Sequence, residues 1–286
     1  MQTDIFDDRP CALGEGPLWH PERRQLYWFD ITGQRLLSRE GTAPLEWQLD
    51  EMCSAAGWID RDTLLMASAT GLWRFDIASG AKERVAALED DNAGTRSNDG
   101  RADPLGGFWI GTMGLDAEPE AGAIYRYYRG ELRRLYDRIS IPNAICFPPG
   151  RGQAYFADTA RQTVWRVQLD SDGWPKSERE VFLDLREEDL FPDGAVCDAQ
   201  GRVWIAQWGA ARVACYGPDG RFQAAIPLSG RHSSCPAFGG AGLGDLFVTT
   251  ARQGLAESLL EQEPENGTTF VARNAGNGQR EHRVIL

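Results

Sequence analysis

The stretch TRSNDGRADPLGGFWIGTMG, residues 95–114, decides the fold of this chain. It places charged and amide side chains directly before an apolar strand, Phe108-Trp109-Ile110, and ends in a glycine turn. The same succession of small residues, turn and aromatic strand recurs along the chain. The central strands of its copies are anchored 38 to 48 positions apart, at Trp28, Met66, Trp109, Phe156, Trp204 and Phe247. Repeats of this length, with about four short strands each, predict an all-β fold, a six-bladed β-propeller with four-stranded antiparallel blades.

A propeller ring has to close, because an open edge strand promotes aggregation. We therefore expect residues 2–6 to complete the last blade beside Phe270-Val271-Ala272. No Pro/Ser-rich linker or shift in composition interrupts the repeats, so the sequence predicts a single domain over residues 1–286. One short helical segment is expected, at residues 257–262.

Charge and composition exclude several classes of function. The net charge of −12 argues against nucleic acids and anionic membranes as partners, since both attract a basic face. We find no signal peptide and no apolar run of about 18 residues, and therefore expect a cytoplasmic protein. The six cysteines are scattered without a C-x-x-C pair and are interpreted as buried free thiols.

Oxygen-bearing side chains stand at equivalent positions in five of the six repeats. The inner strands of a propeller start at one end of a central channel, so these positions should converge on its axis. They are Glu15, Ala55, Asn98, Asn143, Asp193 and Ser234. Carboxylate and amide oxygens without His or Cys suit Ca²⁺, Mg²⁺ or Mn²⁺ better than a structural zinc. The alternative is that Asn-Asp-Gly and Pro-Asp-Gly only form turns, which does not explain Glu15 between two glycines.

Several motifs resemble the gluconolactonase/regucalcin (senescence marker protein) family of six-bladed propellers. They are LGEGPLW (13–19), R-x-NDG (96–100), GTM (111–113), IPNAI (141–145), FPDG (191–194), SSCPAFGG (233–240) and DLFVTTARQG (245–254). The resemblance implies a metal-dependent hydrolase that opens sugar (aldono-) lactones to aldonic acids. It implies that Glu15, Asn143 and Asp193 bind one divalent ion, with Ca²⁺ expected first and Zn²⁺, Mg²⁺ or Mn²⁺ as alternatives.

The resemblance also implies that Arg96 and Asn98 bind substrate hydroxyls. In relatives a Glu shortly after GTM contacts the substrate, and this chain has Asp116 at that position. Glu118 and Glu120 lie nearby, so the identity of this third contact stays open. Arg101 is interpreted as a surface or turn residue.

Opening a lactone requires an attacking water, a stabilised carbonyl oxyanion and protonation of the departing ring oxygen. We expect a metal-activated water with Asp193 as general base, acting on a small sugar lactone. Two alternatives stay open: a calcium-dependent phosphotriesterase- or arylesterase-like hydrolase, and a non-enzymatic calcium-binding propeller. Arg96 favours lactones over neutral organophosphates, because a guanidinium can bind vicinal hydroxyls through two donors.

Overall fold

The computed structural model describes residues 2–286, and short antiparallel strands dominate it. Two short helical segments occur, a 3₁₀ turn at Thr159–Arg161 and helix α1 at Glu257–Gln262. The strands up to the middle of the chain are β1 (Thr3–Asp7), β2 (Gly14–His20), β3 (Gln25–Asp30), β4 (Arg35–Glu40), β5 (Ala43–Gln48), β6 (Cys53–Trp58), β7 (Thr63–Ser68), β8 (Gly71–Asp76), β9 (Lys82–Ala87), β10 (Thr95–Ala102), β11 (Phe108–Gly114), β12 (Gly122–Tyr128) and β13 (Glu131–Ile139). The predicted helical segment at residues 257–262 is therefore confirmed.

The second half of the chain continues the same pattern. Its strands are β14 (Pro142–Cys146), β15 (Gln153–Asp158), β16 (Thr163–Gln168), β17 (Glu180–Asp184), β18 (Phe191–Cys197), β19 (Val203–Trp208), β20 (Arg212–Tyr216), β21 (Phe222–Pro227), β22 (His232–Gly239), β23 (Asp245–Ala251) and β24 (Thr269–Ala272). Among residues 2–286, no helix is long and apolar enough to span a membrane.

The strands form six four-stranded antiparallel blades, which confirms the predicted propeller. Blades 1 to 5 take consecutive strands, from β2–β5 to β18–β21, and blade 6 has the order β22-β23-β24-β1. In blade 6, Thr3 pairs with Ala272 and Ile5 with Phe270, so the N-terminal strand closes the ring as expected. The inner strands β2, β6, β10, β14, β18 and β22 each contact the next around the axis. The single domain over 1–286 stays a prediction, and its first residue, Met1, lies outside the described residues.

Large apolar side chains on the second strand of each blade build the core. All six anchors of the repeat are at most 3% exposed. Because successive residues of a strand point to opposite faces, each second strand packs against both neighbouring blades. Trp109 of blade 3, for example, meets Phe147 of blade 4 edge-to-face at 5.6 Å between ring centroids. The described cysteines are all free and buried, as predicted.

A β-bulge near the start of each inner strand distinguishes these strands from the rest of their blades. The register against the second strand shifts between Glu15 and Leu18, Cys53 and Ala55, Ser97 and Gly100, Asn143 and Cys146, Pro192 and Ala195, and Ser233 and Cys235. A bulge leaves a residue unpaired and turns its side chain away from the regular alternation of the strand. The bulges therefore lie at the positions where the sequence predicts a ring of mostly oxygen-bearing side chains.

The last ten residues of the chain cross the mouth of the channel at the ends of the inner strands. The backbone amide of Ala199 donates to Asn277 at 2.8 Å, and the amide of Ile285 donates to Gly106 at 2.8 Å. Between these points the indole of Trp58 donates to the carbonyl of Glu281 at 2.9 Å. The segment 277–286 thus bridges blades 5, 2 and 3 and covers this mouth, leaving the strand starts as the open end.

The position of Arg101 differs from the one expected from the sequence, which was the surface or a turn. Its side chain is only 10% exposed and forms an ion pair with the Glu281 carboxylate of the C-terminal segment. Its guanidinium also donates to the carbonyl of Ala195 at 3.2 Å. The interpretation as a surface or turn residue is wrong, because NDGR runs inward along the channel rather than out through a turn.

Candidate active site

A cavity of about 260 Å³ opens at the starts of the inner strands. Five side chains that the sequence singled out line it together: Glu15, Arg96, Asn98, Asn143 and Asp193. They come from blades 1, 3, 4 and 5, and each is at most 7% exposed. Residues far apart in the sequence thus form one buried polar floor, as the repeat register predicted.

Two positions of the predicted ring do not line the cavity. Ala55 is fully buried and carries no polar side chain. The hydroxyl of Ser234 is also buried, where it donates to the carbonyl of Gly14. Ser234 therefore supports the strand that carries Glu15 instead of facing a ligand.

The loop that follows β11 contributes Ala117 to the cavity lining. Asp116, the predicted third substrate contact, is exposed in the same turn, and its backbone amide donates to the Glu118 carboxylate at 3.1 Å. Glu120 forms an ion pair with Arg161, at 2.7 Å between Nη2 and the carboxylate oxygen. A substrate contact by Asp116, Glu118 or Glu120 stays a prediction.

Apolar side chains form the walls of the cavity, a feature that the sequence reasoning missed. They are Leu13, Met113, Ile141, Phe191 and Trp208. Trp208 is held by a stacked contact with His232, at 4.2 Å between ring centroids. A signal was present in the repeat: Met113 and Trp208 each follow the anchor of their central strand by four positions.

Hydrogen bonds join the floor residues across three blades. Nη1 of Arg96 donates to Oδ1 of Asn98 at 2.9 Å, and Nδ2 of Asn98 donates to Oδ1 of Asn143 at 3.2 Å. Nδ2 of Asn143 then donates to Oγ1 of Thr159 at 2.8 Å. Thr159 in turn donates to the carbonyl of Pro192 at 2.6 Å. Thr159 lines the cavity as well, and nothing in the sequence had pointed to it.

The backbone beside Glu15 requires glycine. Gly16 has a φ of +53°, and a Cβ there would lie 2.2 Å from the carbonyl oxygen of Ser54. Its amide donates to the Glu15 carboxylate at 2.9 Å. The glycine after Glu15 therefore permits both the bulge and the close contact between blades 1 and 2.

Burial disfavours the charged forms of the acidic groups in the floor and so raises their pKa values. It raises the pKa of Glu15 to about 8, with the charge of Asp99 adding to the effect. Burial, followed by the charges of Glu15 and Asp99, raises the pKa of Asp193 well above its ordinary value. Burial also raises the pKa of Asp99 to about 6. Burial lowers the pKa of Arg96, while Glu15 and Asp193 favour its charged form. The guanidinium of Arg96 thus interacts with the carboxyl groups of both Glu15 and Asp193.

The side chains of this floor fit a hard divalent cation. Glu15 and Asp193 provide carboxylate oxygens and Asn143 an amide oxygen, the donor types that Ca²⁺ prefers. Within residues 2–286 no group of three His, Cys, Asp or Glu side chains is placed to hold a metal, and the amide oxygen of Asn143 would supply the third donor beside the two carboxyl groups. A cation would also offset the burial, and the mutual repulsion of Glu15, Asp99 and Asp193, that disfavour charged carboxylates here.

The raised pKa of Glu15 predicts an unusual pH dependence of stability. With divalent cations removed by a chelator, the free energy of unfolding should fall as the pH rises from about 4.5 to about 8. In this window the unfolded chain releases the proton of Glu15 while the folded protein keeps it, so raising the pH favours unfolding. The effect should be on the order of a few kcal/mol. It is measured by urea unfolding at several pH values.

The control for this experiment is Glu15→Gln, which removes the titrating group and keeps the shape of the side chain. The difference in unfolding free energy between wild type and variant isolates Glu15 from other titrating groups. Parallel curves for the two proteins between pH 5 and pH 8.5 would contradict the prediction.

Comparisons with known proteins show which family this chain resembles. Residues 13–252 match the family model described as SMP-30/Gluconolactonase/LRE-like region. The L-arabinolactonase of Azospirillum brasilense is 35% identical over 96% of this chain and 93% of its own length. The 6-deoxy-6-sulfogluconolactonase of Pseudomonas putida is 31% identical over 93% of this chain and 92% of its own length.

A solved structure extends the comparison to the whole propeller. The calcium-binding protein regucalcin from Agrobacterium tumefaciens strain C58 superposes with a TM-score of 0.96 and is 38% identical. The match covers 99% of this chain and 97% of that protein. Since the family model spans most of the chain and the likeness holds over nearly its full length, the protein belongs to the SMP-30/gluconolactonase/LRE-like family.

Proposed function

We propose that this protein is a divalent-metal-dependent hydrolase that opens aldonolactones to aldonic acids. The observation that carries the proposal is the cavity floor, where Arg96 and Asn98 lie beside the carboxyl groups of Glu15 and Asp193. Such a floor combines groups for sugar hydroxyls with groups for water activation. Relatives named for lactone hydrolysis, among them the L-arabinolactonase, support the same reaction class.

Glu15, Asn143 and Asp193 are the residues that would hold the metal ion. When bound, the ion supplies Lewis acidity toward the lactone carbonyl and lowers the pKa of water. We propose Ca²⁺ as the first candidate because the set contains oxygen donors only, and because the similar regucalcin is named as a calcium-binding protein. Zn²⁺, Mg²⁺ and Mn²⁺ are the alternatives that an experiment has to compare.

We assign the proton transfer to a carboxylate oxygen of Asp193. Its carboxyl group lines the cavity together with Arg96 and Asn98, and a carboxylate placed there can accept the proton of a water. It would accept the proton of the attacking water and return it to the departing ring oxygen. The apolar walls, including Phe191 and Trp208, would exclude bulk water and contact the C–H face of the sugar.

Arg96 and Asn98 would orient the sugar by its hydroxyl groups. Both amide hydrogens of Asn98 are already used, since Nδ2 donates to the carbonyl of Pro142 at 3.0 Å and to Asn143. Asn98 can therefore offer a substrate only the free lone pair of Oδ1, as an acceptor. Arg96 supplies the complementary donors, so the pair would recognise neighbouring hydroxyls on one edge of the lactone.

Metal removal tests this function directly. Chelator-treated protein should open a panel of five- and six-membered aldonolactones no faster than the spontaneous rate, measured as acid release. Adding back Ca²⁺, Mg²⁺, Mn²⁺ or Zn²⁺ singly should restore turnover with at least one ion. If every lactone stays at the spontaneous rate with every ion, the proposal fails. Turnover of phosphotriesters or aryl esters alone would then assign the alternative hydrolase class, and cation binding without turnover a non-enzymatic propeller.

A cytoplasmic location for this activity is also a proposal. The six described cysteines are free and buried, which suits a compartment where thiols stay reduced. The proposed substrate is a small molecule and requires no membrane or nucleic-acid surface.

A further inference from the structure

We infer that Thr159 is a positioning residue that fixes the amide of Asn143 with its oxygen available to the divalent cation. The inference rests on the proposed metal site and adds a residue to which neither the motifs nor the repeat register pointed. It depends on the direction of the hydrogen bonds that run from Arg96 to the carbonyl of Pro192.

The groups at the two ends of this series of hydrogen bonds, Arg96 and the Pro192 carbonyl, determine the direction of every bond in it. Arg96 can only donate, so the group of Asn98 that faces it at 2.9 Å is the oxygen. The Pro192 carbonyl can only accept, so the single hydroxyl hydrogen of Thr159 points to it, at 2.6 Å. The remaining lone pairs of Thr159 can then only accept, and they receive Nδ2 of Asn143 at 2.8 Å.

Asn143 is therefore held from both sides in one orientation. Its NH₂ group faces Thr159, and its Oδ1 receives Nδ2 of Asn98 at 3.2 Å. A flipped amide would bring two NH₂ groups together on one side and would oppose its oxygen to that of Thr159 on the other. An oxygen with a free lone pair is thus kept in the cavity that Glu15 and Asp193 also line, where a cation would require it.

The backbone around Thr159 keeps its hydroxyl in place. Thr159 opens the 3₁₀ turn that follows β15, and Asp158 caps this turn by accepting the amide of Ala160 at 3.2 Å. The amide of Thr159 donates to the carbonyl of Ile141 at 3.0 Å, which ties the turn to the strand that carries Asn143. Only 8% of Thr159 is exposed, so water cannot easily replace its hydroxyl.

The test compares Thr159→Val, which keeps the shape and loses the hydroxyl, with Thr159→Ser, which keeps the hydroxyl. The affinity of the full chain for Mn²⁺ and Ca²⁺ is measured by titration calorimetry, and Mn²⁺ binding also by electron paramagnetic resonance. Thr159→Val should bind 10- to 100-fold more weakly, the usual loss when a partner of a metal ligand is removed, and Thr159→Ser should bind within about threefold of wild type.

Ser38 provides a matched control for the loss of a buried hydroxyl. It accepts the side-chain amide of Gln25 at 2.8 Å and donates to the carbonyl of Leu26 at 2.6 Å, in blade 1 and outside the cavity. Ser38→Ala should lower the melting temperature and leave metal affinity unchanged. If Thr159→Val does not fold, Thr159→Ala replaces it with the same expectation.

The outcomes separate this inference from the function on which it rests. Wild-type affinity in Thr159→Val, with the wild type itself binding metal, overturns the positioning role and leaves the proposed function intact. A wild-type chain that binds none of the ions overturns the metal site and this inference with it. Equal loss of affinity in Thr159→Val and Ser38→Ala would show a general effect of destabilisation and also contradict the inference.

Discussion

Asp193→Asn is expected to lower kcat/KM for the best aldonolactone by about 10³- to 10⁴-fold at neutral pH. General-base catalysis by a positioned side chain contributes about 10²- to 10⁴-fold, and this variant also loses one charged metal ligand. The fold should survive, because an amide replaces a carboxyl group of the same shape whose charge is disfavoured by burial. The measurement is acid release from the lactone, with a thermal melt of the same preparation.

Two additions make this experiment specific. Assays at saturating metal separate loss of the base from loss of metal affinity, since only the affinity is corrected by added ion. Asp219→Asn, at an exposed turn where the carboxyl group lies 3.6 Å from Arg221, serves as the matched control and should retain full activity. Activity of Asp193→Asn within tenfold of wild type, at saturating metal, would rule out Asp193 as the base.

The propeller could be predicted from the sequence because each repeat contains the apolar side chains that pack its own blade. Each blade buries one large side chain of the second strand, such as Trp109 or Trp204, and the order of these side chains counts the blades. Closure by β1 followed from the same reasoning, since an unpaired strand of blade 6 would expose a sheet edge. These side chains lie close together in the sequence within each repeat, so their periodic spacing is enough to predict the fold.

The candidate site was predictable only in part. The repeat register assigns equivalent positions in the ring to Glu15, Asn98, Asn143 and Asp193. Equivalent positions of a closed ring converge on its axis, so their meeting could be predicted. The walls follow a weaker signal in the same register, at Met113 and Trp208. The β-bulges that turn these side chains toward the axis depend on pairing between strands, and no single strand sequence specifies them.

Contacts without periodicity escaped the prediction. Thr159 acts through a hydroxyl whose partners lie on two neighbouring blades, at Asn143 and Pro192. Arg101 and Glu281 are 180 positions apart and meet only because the C-terminal segment crosses the channel. A charged side chain in a turn-like motif usually faces solvent, and only this distant partner reverses that expectation for Arg101.

Glu281→Gln is expected to lower the free energy of unfolding by about 3–5 kcal/mol, because it removes the ion-pair partner of the buried Arg101 guanidinium. Burial disfavours the charged form of Arg101, and Glu281 is the strongest group that offsets it and holds its pKa above the ordinary value. The Arg101 side chain is 10% exposed and that of Glu281 7%, so solvent screens the pair little. Urea unfolding at neutral pH measures the loss.

A double variant decides whether the loss comes from the broken ion pair or from damage to the C-terminal segment. Arg101→Met combined with Glu281→Leu should recover most of the stability, since apolar side chains of similar volume often replace a buried ion pair without cost. Glu131→Gln, which breaks the exposed pair with Arg133, should cost under about 1 kcal/mol. If Glu281→Gln costs no more than this control, the ion pair does not hold the segment, and its other contacts, among them those with Ala199, Trp58 and Gly106, keep the channel closed.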